Sequence, residues 1–447
     1  MATEKERLAP SLETEALDEA AAAEPGRTSA LAALEYRDFR LFWIGLVVSN
    51  VGTWMQQFGL GWLVVQLAIR DGVPHLAPFY LGLVGLSRAV PGLAFGLFGG
   101  AVADRADRRR LLLVTQTSAA TVAGILAVLT ISDHINIVEI VLMSALNSMI
   151  FSFDAPTRQA MVPRLVSDRE LLSAIGLNSA AFNGATLVGP LLGGVLIIPF
   201  GVGGLMAINA FSYLAIVVAL LLMRPQPAQR SGHLPMLESI REGLAFIRGD
   251  PVLRWVVVLS IATALFTRPY IQLLPAEAQL LNVGARELSW LLAASGTGAL
   301  VGALMTASLG GLRRRGALLV SAAFAHGVLL MFFGLQHTVV GAMLFVGLTS
   351  LAVMVFLGMA NTLMQTRTPD AIRGRVMSVH TMVFMGFMPL GQMVLGSVGT
   401  LAGINNAFLA GGVVVTLLAG YTVLRVAAVR EAIATTRPRA VAERAGS

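Results

Sequence analysis

The chain has 447 residues, of which 56% are hydrophobic and 13% charged, with a formal net charge of +7 and no cysteine. A soluble domain carries about 25% charged residues, so a surface this apolar excludes a water-soluble fold and must face lipid. The absent thiols exclude disulfides, thiolate metal sites and cysteine nucleophiles, and arginines scattered between apolar blocks exclude a nucleic-acid interface.

Residues 1–34 are rich in Ala and Glu and hold no apolar run. They lack the basic start and apolar core of a secretory signal and read as a disordered cytoplasmic tail. Segments apolar enough to cross a bilayer, which takes about 20 residues each, follow at 39–69, 78–102, 111–131, 136–153, 171–197 and 202–223. Six more lie at 253–281, 287–309, 317–335, 339–363, 376–399 and 404–426. The first is long enough to be tilted or broken, and the seventh contains Pro269 and Pro275. Between the sixth and seventh, residues 224–252 place Leu237, Ile240, Leu244 and Ile247 at helical spacing with Arg241, Glu242 and Arg248 among them. That pattern predicts a short amphipathic helix on the membrane surface. The expected fold is all-α and polytopic: two pseudo-symmetric six-helix bundles at 35–223 and 253–428, with a cytoplasmic tail at 429–447.

Charge alternates across the loops. One side collects Arg105, Arg108, Arg109 and Arg110, then Arg158, Arg164 and Arg169, then Arg313 to Arg315, then Arg367, Arg373 and Arg375, whereas the other side offers only Arg70 and Arg286. The positive-inside rule puts the arginine-rich loops and both termini in the cytoplasm, as twelve spans require.

The halves repeat one another. Asp154-Ala155-Pro156-Thr157-Arg158 after the fourth span is matched by Thr366-Arg367-Thr368-Pro369-Asp370 and Arg373-Gly374-Arg375 after the tenth. Gly189-Pro190-Leu191-Leu192-Gly193-Gly194 in the fifth span is matched by Pro389-Leu390-Gly391 in the eleventh. Parallel six-span repeats are a way to build an alternating-access carrier with its substrate between the halves.

With these features the chain resembles the major facilitator superfamily over residues 35 to 428. The run Gly100-Ala101-Val102-Ala103-Asp104-Arg105-Ala106-Asp107-Arg108-Arg109 is similar to its loop signature, departing at Asp107, where the pattern has Gly. The Gly189, Pro190, Gly193 and Gly194 stretch resembles the span-five signature of drug–proton antiporters. The Tyr36–Trp62 run and the two Pro/Arg loops look like the enterobactin-exporter-like branch, which also includes macrolide efflux pumps. The resemblance implies a gate in which Asp104 faces the start of span eleven and Arg108 pairs with an acid at the end of span four, here Asp154. Arg105, Arg158, Arg373 and Arg375 are carried as gating candidates, and topology anchoring is the competing reading. Gly189, Gly193 and Gly194 suit close helix approach, and Pro190 invites a kink; ordinary membrane-helix packing would use the same residues.

Polar groups at membrane depth supply the substrate-binding candidates. Arg88 and Arg268 lie near mid-span, where an arginine costs at least about 2.5 kcal/mol to insert and lines a cavity or finds a partner. Either is expected to attract an anionic group on substrate or lipid, or else to snorkel. Asn50, Trp54 and Gln57 share one face of the first span. Asn147, Asn183 and Gln392 are further intramembrane amides, suited to a cavity wall or to interhelical hydrogen bonds. No acid lies mid-span, and Thr53 stands where many relatives carry Asp. The candidates for proton coupling are Glu139, Glu277, His326 and His380.

Enzyme motifs are absent: no P-loop lysine, no His-Glu-x-x-His pair, and Gly296-Thr297-Gly298 lacks dinucleotide-loop spacing. Neither a cofactor nor a metal is expected. The expectation is a monomeric secondary carrier of the bacterial inner membrane. It would export a siderophore-like or drug-like amphipathic molecule, with protons as the candidate coupling ion and the bilayer as partner. The alternatives are a lipid or lysophospholipid flippase of the same fold and a non-transporting sensor or assembly factor.

Overall fold

The computed structural model describes residues 29–224, 236–309 and 315–425. Most of both expected tails, part of the linker, Arg313 and Arg314, and the side chains of Asp104 and Arg105 lie outside the described residues.

Thirteen α-helices run in chain order among the described residues: α1 Arg37–Arg70, α2 Ala77–Arg105, α3 Arg108–Ile131, α4 Ile137–Met161, α5 Leu171–Leu222, α6 Met236–Gly249 and α7 Pro251–Phe266. They continue as α8 Tyr270–Leu280, α9 Ala285–Leu309, α10 Arg315–Gly334, α11 Val339–Arg367, α12 Asp370–Ala402 and α13 Ile404–Arg425. Short polar residues start several of them by satisfying orphan backbone donors. Asp107 accepts from the Arg110 N–H at 3.2 Å, and Asp250 accepts from Val252 at 2.7 Å with Pro251 next in line. Asn136 and Glu139 form a reciprocal capping box at α4. Glu139 is thereby engaged as a helix cap, its carboxylate accepting from the Asn136 N–H at 2.8 Å.

Two helices do not match one span each. α5 has 52 residues, far more than one crossing needs. Its single non-helical residue is Gly201, at φ 64°, ψ −179°, just after Pro199. Only glycine enters that region cheaply. The limbs on either side run in opposite directions along α1. Gly189 and Gly193 meet Trp54 and Phe58 in ascending order, whereas Gly45, Gly52 and Gly59 meet Ile216, Ser212 and Leu205 in descending order. Gly201 therefore reverses the chain, and α5 supplies two crossings. The seventh crossing is split instead. Helix α7 ends at Phe266, and α8 begins after Thr267, Arg268 and Pro269, where proline offers no N–H to continue the ladder. α1, by contrast, is unbroken through 34 residues. At 1.5 Å per residue it is about 51 Å long, so it tilts or projects past the bilayer.

Among the described residues the crossings number twelve, with α5 counted twice and α7 and α8 together once, and form two pseudo-symmetric sets of six. α2 packs on α4 and α3 on α5 in the first set, as α9 packs on α11 and α10 on α13 in the second. Large apolar side chains face outward, such as Phe211 at 70% exposure, which suits a surface solvated by lipid tails. The chain just before α1 is docked rather than loose: Ala32–Glu35 form a 3-10 turn, Ala33 is fully buried, and its N–H reaches Ser173 at 3.3 Å. This shortens the tail expected from the sequence.

The buried apolar side chains define the shape. One core cluster joins both halves, including Phe58, Leu63 and Leu81 from the first and Tyr270, Leu288 and Leu395 from the second. It occupies the end holding the α1–α2 and α3–α4 turns. At the opposite end each half has its own core, around Phe42 and Leu220 in one and Val256 and Phe356 in the other. The halves are closed together at one end. They keep separate cores at the arginine-rich end.

Candidate functional site

A cavity of about 210 Å³ lies within the first half. α1 contributes Asn50, Thr53, Trp54 and Gln57 on successive turns of one face, and α4 contributes Asn147, Phe151, Asp154 and Arg158 at the same helical spacing. α2 adds Arg88, α3 adds Thr115 and Gln116, and the limbs of α5 add Phe182 and Tyr213. Five of the eight expected binding residues, Asn50, Trp54, Gln57, Arg88 and Asn147, meet here. So do Asp154 and Arg158, which the sequence placed at a gate.

The lining divides into two polar clusters. In the first, Arg158 donates from Nε to Asp154 Oδ2 at 2.5 Å and from Nη1 to Asn50 Oδ1 at 3.3 Å. Thr115 and Gln116 donate to Asp154 Oδ1 at 2.9 and 2.6 Å. Asp154 is buried and its charge is matched locally. The partner found for it is Arg158, one turn away on α4. Thr115 and Gln116, which hold its other oxygen, lie two turns along α3 from Arg108. In the second cluster, Arg88 Nη1 donates to Gln57 Oε1 at 2.8 Å, and the Arg88 carbonyl accepts from Ser148 at 2.7 Å. Between the clusters, Thr53 and the Tyr213 hydroxyl are 3.1 Å apart.

The remaining expected residues lie elsewhere. Asn183 is exposed and donates to the Ser179 carbonyl on its own helix at 2.8 Å. Gln392 is buried and crosses between the halves, donating to the Leu81 carbonyl at 2.9 Å. Arg268 sits at the α7–α8 break, outside the cavity lining. Thr115, Gln116, Phe182 and Tyr213 are lining residues that the sequence reading did not single out. The first two stand early in an apolar span and Tyr213 stands within another, which was the available signal.

The glycine-rich stretch of α5 has a direct geometric reading. A Cβ at Gly189 would lie 2.9 Å from the Met55 nitrogen, and one at Gly193 would lie 2.6 Å from the Phe58 ring. Gly194 faces Ser289 of the second half. The helix continues through Pro190, and the backbone departs from helical geometry only at Gly201. Closure elsewhere uses the same device: Gly82 lies against the Gln392 carbonyl and Gly396 against Pro78, while Phe79 N–H donates to Thr400 at 3.1 Å.

At the arginine-rich end, Arg375 pairs with Glu242 of α6, Arg367 with Asp250 at 3.2 Å, and Arg373 with Asp370. At the closed end a shallower groove of about 690 Å³ includes Arg70. That arginine is spent on Asp71 and Asp133, both at 3.2 Å, and on the Ile135 carbonyl at 3.1 Å.

Three coupling candidates remain besides the capped Glu139. Glu277 on α8 is fully buried, and among the described residues neither carboxyl oxygen has a hydrogen-bond partner. His326 is buried with Nδ1 3.1 Å from the Thr349 carbonyl, and its Nε2 has no partner among the described residues. His380 lies edge-on to Phe384 at 5.3 Å, its Nε2 likewise without a partner among the described residues.

A family model described as transmembrane secretion effector matches residues 28–443. The chain belongs to that family of major facilitator transporters. Across the family's span it is 26% identical over 374 residues to the multidrug efflux pump Tap of Mycolicibacterium fortuitum, covering 81% of this chain and 90% of the relative. It is 26% identical over 330 residues to the enterobactin exporter EntS of Shigella boydii, covering 71% and 77%. Among solved structures, a bacterial homologue of the human lysosomal transporter Spinster, in an inward-facing and unoccupied conformation, superposes with a TM-score of 0.68 at 12% identity. That match covers 90% of this chain and 98% of the other and shares the fold. The secretion-effector chain is thus a multi-pass membrane protein of a bacterial transporter family.

Proposed function

We propose that the protein is a monomeric secondary carrier of the bacterial inner membrane that exports an amphipathic small molecule from the cytoplasm by alternating access. The observation that carries this reading is the contrast between ends. One shared apolar core closes the halves at one end, separate cores serve them at the other, and a polar-and-aromatic cavity lies between. The positive-inside rule assigns the arginine-rich end to the cytoplasm, so the cavity is loaded from inside. Two of the relatives, named as a drug pump and a siderophore exporter, support outward movement of a small molecule.

The coupling ion in this reading is the proton, exchanged at Glu277. An ionised carboxylate without a partner is costly at membrane depth, and α8 touches both α1 and α2 of the other half. A change in the charge of Glu277 is therefore felt where the halves separate. Pro275 of the same helix is 3.0 Å from the Cβ position of Gly61.

Accumulation of a panel of siderophores and drugs in deletion and overexpressing cells tests the proposal. A carrier lowers the cellular level of its substrate in proportion to expression, and dissipating the proton gradient reverses this. Unchanged levels across the panel, with a signalling or assembly defect instead, would mark a sensor. Redistribution of lipid between leaflets would mark a flippase.

A further inference from the structure

The cavity contains two arginines in different electrostatic situations. Arg158 is matched by Asp154, which Thr115 and Gln116 also hold. The side chain of Arg88 meets, among the described residues, the neutral Gln57. Among the described residues, no carboxylate lies within salt-bridge distance of Arg88, and Asp154 is the only acid lining the cavity. The cavity therefore keeps one uncompensated positive charge. An arginine held at membrane depth without a counter-ion is costly, and here it is not buried away but faces an open space, half-buried.

We propose that Arg88, presented by Gln57, is the anion-recognition point of the cavity. Its ligand is an amphipathic molecule with one anionic oxygen group on an aromatic body. This deepens the carrier reading and rests on the cavity being the substrate site. The guanidinium keeps free donors in a planar fork, which suits a carboxylate or phenolate oxygen. Beside it, Trp54 and Phe182 stand edge-to-face at 6.1 Å, and Phe151 is half exposed, offering ring surfaces for an aromatic body. The volume of about 210 Å³ is below the roughly 300–1,000 Å³ of pockets that enclose a drug-sized molecule. The site thus holds the charged head of a larger ligand, the remainder extending toward the open end. Arg158 is not the anion point, because a ligand there must first displace Asp154. Arg268 is outside the lining.

The full-length protein in nanodiscs of zwitterionic lipid, with empty nanodiscs subtracted, is titrated by equilibrium dialysis with 1-naphthoate, 1-naphthamide and 1-naphthylmethylammonium. The wild type is expected to hold naphthoate at least about tenfold more tightly than naphthamide, the size of one charge-assisted hydrogen bond, and to hold the ammonium least. Arg88→Gln removes that preference, and Arg88→Lys keeps most of it. If Arg88→Gln fails to fold, Gln57→Glu decides. It places a counter-ion on Arg88 with little change in shape and abolishes the naphthoate preference with the arginine still present. Equal binding of naphthoate and naphthamide by the wild type, no naphthoate binding, or an unchanged preference in Gln57→Glu overturns the proposal. A carrier of neutral or cationic cargo would pass the efflux test and fail this one. Naphthoate preference with no efflux of any compound would leave the anion site standing and sink the carrier reading.

Discussion

The two halves share a helix arrangement but not an interior. In the first half, α2 and α4 meet through side chains: the Cβ position of Gly92 lies 3.2 Å from the Ser148 hydroxyl, and a polar cavity opens beside them. In the second half, the equivalent α9 and α11 meet backbone to backbone, Gly298 against the Gly347 carbonyl and Gly302 against that of Leu351. Three hydroxyls near that contact are tied to one another. Ser350 lies 2.5 Å from the Tyr270 hydroxyl and 2.7 Å from Ser295, and all three residues are buried. A repeat thus fixes where helices go, while the residues at their crossings decide how closely the helices approach and what opens beside them.

The comparison breaks most visibly at the buried charged pair in the cavity wall of the first half. Asp154→Asn leaves Arg158 without its counter-charge. Losing one member of a buried pair costs about 3–5 kcal/mol, and cavity water at the partly exposed Arg158 brings this toward about 3 kcal/mol. Thermal unfolding in nanodiscs should show the largest drop of any single substitution discussed here, and adding Arg158→Gln should restore much of it. If Asp154→Asn unfolds like the wild type, the pair is not a structural element of the cavity wall.

The backbone contact of the second half is the next lever. Gly298→Val drives a branched side chain into the Gly347 carbonyl and should cost about 1–3 kcal/mol or more by overpacking. Gly92→Ala in the first half asks only that a serine hydroxyl shift slightly, and should change the unfolding temperature little. Equal losses at the two positions would remove the distinction between the halves.

Much of this asymmetry was hidden in the sequence, though the scaffold was not. Apolar runs and alternating arginines exposed twelve crossings because lipid forces every span to be a long apolar helix. The breaks at Pro199–Gly201 and at Pro269 were legible because proline and glycine act through the backbone alone. Five of the cavity residues emerged from polarity at membrane depth and from the spacing of Asn50, Trp54 and Gln57. Partner choice did not emerge. Asp154 is held by Arg158 of its own helix and by Thr115 and Gln116 of α3, and how far α4 slides along α3 is encoded by no local pattern. Nor could Gln392 be told from a cavity amide: its bond to the Leu81 carbonyl exists only because α2 and α12 touch there.

Glu277 sharpens the comparison functionally, since the second half holds a buried acid without a hydrogen-bond partner among the described residues, and the polar cavity described above lies in the first half. Glu277→Gln keeps the volume and removes the titratable proton. In proteoliposomes, uptake of exported substrate driven by a proton gradient should fall at least about tenfold, equivalent to roughly 1.4 kcal/mol of lost drive, while substrate exchange without a gradient persists. Loss of both activities together would mean that Glu277 is needed for packing and not for coupling.

The smallest effect is expected where charges look most prominent. Arg375 of α12 pairs with Glu242 of α6, but these side chains are 27% and 44% exposed. Exposed pairs contribute about 0–1 kcal/mol, so Glu242→Gln should shift unfolding by less than about 1 kcal/mol and leave efflux unchanged. What fastens α6 is its apolar face, with Ile247 in the core of the second half and Gly243 pressed against the Arg375 carbonyl, its Cβ position 2.6 Å from that oxygen. Gly243→Val should therefore destabilise the second half far more than Glu242→Gln. The reverse order would mean that the linker is held electrostatically, and then raising the salt concentration should release it. Because the native chain has no cysteine, one cysteine introduced at Leu244, on the packed face of α6, would report that release directly through its labelling rate.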